Sequence, residues 1–532
     1  MNAASTLHPP TELREKLAQL FCVRIGSNLP LVQTVEESET SVGQLLEQCC
    51  VGGLCLFNGG PDTAATLARL QWISKYPLLV ATDMERGLGQ QVIGAAVYPH
   101  AMAFGRLGRD AETMVETFAR QAGAEALASG IQIALAPVAD VNSDPRNPII
   151  DIRAFRIDPG SVSPLVDSHI RGCHAAGLLA TAKHFPGHGN THQDSHDNLP
   201  SVRSSREEWL STDLPPFAAS IEAGVDLVMT AHVAYPRLDP SGLPATLSKP
   251  ILEGVLRQEL GFEGVIVCDS LLMAGVKRSF SSEVELAHAA LDAGTDWLLD
   301  LEDPLSTLDG LMRLVEAGRL SEHRIDQSLK RVWRLKEKMW HRFGGASLFR
   351  DEADQDEESV SAFQSRDLAQ IVALGAIDAR QSSQDGPVIS EYDRVCVVVV
   401  RSNPTRRDTE HVHLQNALAE RCPRAVVVEL GPNSDAGHQQ EVDEAVQAAD
   451  LAVVVAMVKP AAWHRFGLLP YQLALIQKWI DAGDVILAAL GSPFAFAEFP
   501  RAEHRVCTYS DVPESQVALA RWLCGERSKW SR

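Results

Sequence analysis

Eight short apolar runs constrain this chain more than any other feature. They are LFCVRIG (20–26), VGGLCLF (51–57), LLVATDME (78–85), IQIALAPVADV (131–141), LLATAKHF (178–185), LVMTAHV (227–233), GVIVCDSL (264–271) and DWLLDL (296–301). Each has the length of a strand, and nearly every position is apolar instead of every second one. That pattern suits strands covered on both faces, as in a parallel sheet. Between the runs, TELREKLAQL, AETMVETFARQAGAEALASG and DPLSTLDGLMRLVEAG carry helical spacing with acidic starts or glycine stops. Eight strand–helix units in series predict an α/β fold, a (β/α)8 TIM-type barrel over residues 1–345.

The ionisable residues strengthen this reading. Asp83 and Glu85, Asp140, Lys183 and His184, His232, Asp269 and Asp300 fall at the C-terminal ends of the runs. A barrel gathers those ends on one face, so residues remote in sequence are expected to meet in one pocket there.

A basic helix, RIDQSLKRVWRLKEKMWHRFG, leads into the acidic stretch RDEADQDEESVSAFQSRD, read as a solvated linker or surface segment. Residues 346–385 are expected to form a linker and a connecting helix. A second alternation follows in RVCVVVV, RAVVVEL, DLAVVVAMV, DVILAAL and HRVCTYS, with PYQLALIQKWIDAG as a helix between them. Residues 386–532 are therefore read as a smaller α/β sandwich, a structural or dimerising unit.

Net charge is -21, which argues against nucleic acid, because phosphate binding needs a basic face. No apolar run is long enough to cross a membrane. The start, MNAASTLHPPTELREKL, shows no basic segment followed by an apolar core, so a cytoplasmic location is expected. Ten scattered cysteines form no CxxC pair and are expected to act as small buried hydrophobes.

The stretch KHFPGHGNTHQDSHDNLP places His184, His188, His192 and His196 four residues apart. Such spacing makes a metal site on a helix, but Pro186, Gly187 and Gly189 oppose a helix. The stretch is read as a loop leaving the fifth strand, with no metal and no cofactor. In an extended segment Asp194 and His196 point to the same side. Two readings follow: a general acid/base dyad, or a surface pair.

This stretch resembles the signature of family 3 glycoside hydrolases, and within them the β-N-acetylglucosaminidase branch, with its KH-(apolar)-PGHG followed by D-S-H. APVADVNSDPRNPIIDIRAF (136–155), VMTAHVAYPRLDP (228–240) and LPATLSKPILEGVLRQELGFEGVIVCDSLLMAGV (243–276) are similar to other segments of that family. The resemblance covers most of residues 10–340.

It implies a retaining mechanism, with Asp269 as nucleophile, His196 as acid/base and Asp194 as its orienting partner. It implies sugar-hydroxyl ligands at Asp83, Arg153, Lys183 and His184. His232, at the end of the sixth strand, is expected either to line the pocket or to be a buried histidine bonding to backbone. One departure stands out. Where the family reads D-x-EGG-R-V-x-R, this chain has Gln91 at the later arginine position, with Arg86 as a possible substitute. The implied function is an exo-acting β-N-acetylhexosaminidase that removes terminal N-acetylglucosamine from small oligosaccharides, as in recycling of cell-wall fragments. Alternatives are a β-N-acetylglucosaminide phosphorylase, a β-glucosidase and a catalytically dead sugar-binding barrel.

Overall fold

The computed structural model describes residues 7–29, 31–191, 199–343, 362–379, 388–401, 411–458, 465–483 and 485–527. Asp194 and His196 lie outside the described residues, as do residues 344–361, where the expected linker begins.

The eight apolar runs are eight parallel strands: β1 (Phe21–Ile25), β2 (Gly53–Leu56), β3 (Leu79–Thr82), β4 (Ile133–Ala134), β5 (Leu179–Phe185), β6 (Leu227–Thr230), β7 (Val265–Cys268) and β8 (Leu298–Leu299). Their order around the sheet is β7-β6-β5-β4-β3-β2-β1-β8. A parallel bridge between Val267 and Trp297 brings β7 to β8 and nearly closes the barrel. Every residue of β2, β3, β5, β6 and β7 is buried, which accounts for the unbroken apolar runs. Gly53 shows why VGGLCLF begins with glycines. A Cβ there would lie 2.2 Å from Leu79 O and 2.5 Å from Cζ2 of Trp297, so the indole at the β8 seam needs a bare backbone opposite it.

The expected helices form with small differences at their ends: Leu13–Ala18, Ala111–Ala128, Pro304–Glu316, Glu322–Arg342 and Pro470–Ala482. Within 346–385 a helix spans Ala362–Ala376, and it begins with the last six residues of RDEADQDEESVSAFQSRD. The ten cysteines are free, and eight are buried.

The remaining strands are β9 (Val395–Arg401), β10 (Ala425–Leu430), β11 (Leu451–Val458), β12 (Val485–Gly491) and β13 (His504–Cys507). They form a parallel sheet of order β10-β9-β11-β12-β13 around a Val-rich core. This is a doubly wound arrangement, in which strand order reverses between β9 and β11.

The chain divides into two compact units. The first comprises Met1–Ala96, Val115–Ser143 and Ile157–Ser365; the second comprises Val97–Met114, Asp144–Arg156 and Arg366–Arg532. Two segments early in the chain thus belong with the C-terminal sheet. Within that unit His100 Nδ1 lies 2.9 Å from Ser510 Oγ, Ser492 Oγ donates to Asp151 Oδ1 at 2.9 Å, and Arg106 pairs with Asp378 at 2.6 Å.

Candidate active site

Parallel strands deliver their ends to one face, and the barrel unit brings the eight expected ionisable groups together there. Lys183, in β5, is buried with its ammonium between two carboxylates, 2.8 Å from Asp83 Oδ1 and 2.7 Å from Glu85 Oε1. Both acids follow β3. Removing either side of such a buried cluster leaves uncompensated charge and costs about 3–5 kcal/mol.

His184 is the next residue, yet it too faces the site. The β5–β6 ladder runs Lys183↔Met229 and then Phe185↔Thr230, so the register slips at His184. A slip of this kind re-aims a side chain that strict alternation would send to the other face. His184 Nδ1 sits 2.7 Å from Asp140 Oδ2. Asp140 also accepts the backbone N–H of His184 at 3.2 Å and of His188 at 2.7 Å, so one buried carboxylate pins the start of the histidine-rich loop.

Two further groups fix that loop. Trp209 Nε1 donates to Pro186 O at 2.9 Å and Tyr235 Oη to Gly187 O at 2.8 Å. Trp209 rides on a short helix, Arg206–Thr212, that begins with a reciprocal Ser205–Glu208 capping box. Gly187 has φ +133°, and a Cβ there would stand 2.9 Å from Asp213 Cβ and 3.0 Å from Tyr235 Oη. The PGHG motif therefore answers a space requirement. Asp213 is buried, and among the described residues neither of its oxygens has a hydrogen-bond partner. Burial, with Asp140 adding repulsion, pushes its carboxyl up to about 7.

Asp269 follows β7 and is half-buried. Burial raises its carboxyl, but His184, His232, the Ser270 N–H and Lys183 outweigh that, and the net shift is downward. It is held as a carboxylate. His232, beyond β6, lies 2.8 Å from Thr246 Oγ1 through Nδ1 and 3.0 Å from Ser270 O through Nε2. A carbonyl only accepts, so Nε2 carries a proton. Both ring nitrogens face protein groups, which makes His232 a brace behind Asp269.

Arg153 stands in the 3-10 turn Asp151–Arg153, with Nη1 donating to Ile149 O at 3.0 Å, and it belongs to the second unit. Gln91 is buried; its Oε1 accepts from Asn28 Nδ2 at 3.3 Å. The Arg86 N–H donates to Gln90 Oε1 at 2.9 Å.

Sequence reasoning missed Arg24, the single charge in LFCVRIG. Its guanidinium is paired with Asp300 beyond β8 and lies 4.2 Å over the Phe57 ring. Ser270 Oγ donates to the same Asp300 at 2.5 Å. A signal existed: a charged residue in a buried barrel strand requires a partner. Asp213 gave none, because an aspartate ahead of LPPF reads as a helix N-cap.

The glycosyl hydrolase family 3 N-terminal domain matches residues 12–335. Beta-hexosaminidase A of Pseudoalteromonas piscicida is 32% identical over 340 residues, which is 56% of this chain and 55% of that protein. This chain thus spans about half of that relative's length. A beta-hexosaminidase of Xylella fastidiosa (strain M12) is 35% identical over 320 residues, 56% of this chain and 94% of the relative. The solved structure of a glycoside hydrolase family 3 beta-N-acetylglucosaminidase from Paenibacillus sp. str. FPU-7 superposes with a TM-score of 0.86 at 30% identity, covering 98% of each chain. With a matching domain over most of its length and a barrel that gathers carboxylates at the strand ends, this chain belongs to glycosyl hydrolase family 3.

Proposed function

We propose that this protein is a retaining exo-β-N-acetylhexosaminidase that releases terminal β-linked N-acetylglucosamine from small oligosaccharides. The observation that carries the reading is Asp269: a carboxylate kept ionised in a partly buried site by His184, His232, Lys183 and the Ser270 N–H. An ionised, oriented carboxylate at the mouth of a barrel suits attack on an anomeric carbon.

In the proposed cycle Asp269 bonds to the anomeric carbon as the glycosidic bond breaks, and His196 gives its proton to the leaving oxygen. His196 then takes a proton from water, which attacks the same carbon and frees Asp269. Asp194 orients the imidazole and balances its charge. Asp83, Lys183 and His184 hold sugar hydroxyls through charge-assisted bonds. The names of the hexosaminidase relatives support the choice of sugar.

Phosphate is the less suited attacker. Among the described residues Asp83, Glu85, Asp140, Asp269 and Asp300 stand at these strand ends against two permanent cations, Lys183 and Arg24. That field repels an anion.

The test is release of p-nitrophenol from its β-N-acetylglucosaminide and β-glucoside, each with and without phosphate. Faster turnover of the N-acetylglucosaminide, indifferent to phosphate, is expected. Acceleration by phosphate with a sugar-1-phosphate product makes the protein a phosphorylase, and preference for the glucoside makes it a β-glucosidase. Heat protection by sugar with no cleavage makes it a binding protein.

A further inference from the structure

Arg24 is placed like a ligand-binding group. In β1 the side chains of Cys22 and Arg24 share one face, and both feel the Asp300 carboxylate, so that face looks into the barrel. Arg24 occupies the layer nearest the strand's C-terminal end, where the candidate pocket opens. Its Nε and Nη2 both engage Asp300, with Nε 2.7 Å from Oδ1. The Phe57 ring, just beyond β2, packs against the guanidinium at 4.2 Å. Fork and plane are thereby locked.

One edge of the fork is left. Nη1 has no hydrogen bond among the described residues, and the side chain is 19% exposed while its partner Asp300 is 1% exposed. Among the described residues the pair therefore meets solvent through the arginine side chain and not through the carboxylate. Asp83, an expected sugar ligand, adds to the field at Arg24. Asp300 cancels the arginine's charge, so the edge suits a neutral oxygen better than an anion. Asp300 also accepts from Ser270 Oγ, whose backbone N–H holds Asp269 Oδ1 at 2.7 Å. Arg24 and the proposed nucleophile are thus two ends of one hydrogen-bonded chain.

We propose that Arg24 is a substrate ligand, donating from Nη1 to a hydroxyl or amide oxygen of the bound sugar, with Asp300 and Ser270 setting its position relative to Asp269. This rests on the sugar-cleaving reading above, and it supplies from β1 the cationic ligand that Gln91 does not provide beyond β3.

Calorimetric titration with N-acetylglucosamine and with glucose, on the native protein, Arg24→Lys and Arg24→Gln, tests it without relying on turnover. Melting temperature is followed in parallel. Arg24→Lys keeps the charge and loses the fork. Both variants are expected to bind the preferred sugar roughly ten- to a hundredfold more weakly, the range for a charge-assisted hydrogen bond. Variants that melt lower yet bind the sugar as tightly as the native protein make Arg24 a strut of the β1–β8 seam and overturn the proposal. A native preference for glucose defeats the N-acetylhexosaminidase reading alone, and Arg24 is then judged on glucose. A native protein that binds neither sugar overturns both.

Discussion

The Ser270 N–H donates to Asp269 Oδ1 at 2.7 Å, which fixes one oxygen of the proposed nucleophile and leaves the other for chemistry. The same residue accepts from His232 and donates to Asp300, so β6, β7 and β8 meet at one serine. Orientation of this kind lowers the entropic part of a barrier before the substrate arrives.

The nucleophile assignment makes the first prediction. Asp269→Asn keeps the shape and removes the charge, so kcat should fall at least about a thousandfold, as expected for loss of a covalent catalyst. A fluorinated substrate that traps the glycosyl-enzyme should add mass to the peptide containing Asp269. Label on a different peptide, or none with an enzyme that still turns over, removes Asp269 from the role.

His196 carries a second prediction. A general acid matters most when the leaving group is a poor one. His196→Ala should therefore slow cleavage of an alkyl or sugar aglycone by about a hundredfold or more, and of an activated aryl aglycone far less. Comparison of kcat/KM for the two substrates reads this out. Equal slowing of both makes the histidine a structural residue.

Much of the barrel could be read from sequence because a parallel sheet buries whole strands. Each of the eight runs, from LFCVRIG to DWLLDL, became a strand for that reason. The strand ends of Asp83, Lys183, His184 and Asp269 were legible too, since a charge that terminates an apolar run must meet a partner, a ligand or solvent. What escaped is pairing between distant elements. Nothing near Arg24 in sequence announces Asp300, 276 residues away. Asp213 was opaque for the opposite reason: its local context, ahead of two prolines, fits a helix start, yet its side chain makes no capping bond. The grouping of 97–114 and 144–156 with the C-terminal sheet was equally hidden, because local periodicity in short turns and helix starts does not say which sheet they pack with.

Asp213 gives the last prediction, on pH. Its carboxyl rises from the ordinary 3.8 to about 7, mainly by burial and further by Asp140. Between those values the folded state holds a proton that the unfolded chain has released, so stability declines as pH rises through that window. Three pH units correspond to about 4 kcal/mol at full effect. Asp151, also buried and also raised to about 7, acts in the same direction in the second unit and stays in place as a background. Asp213→Asn is isosteric and cannot ionise. The native protein should therefore lose more melting temperature between about pH 5 and 8 than the variant does, and the two curves should separate most at the alkaline end. Parallel curves for the two proteins mean that Asp213 ionises normally in the fold and that its burial is relieved by water.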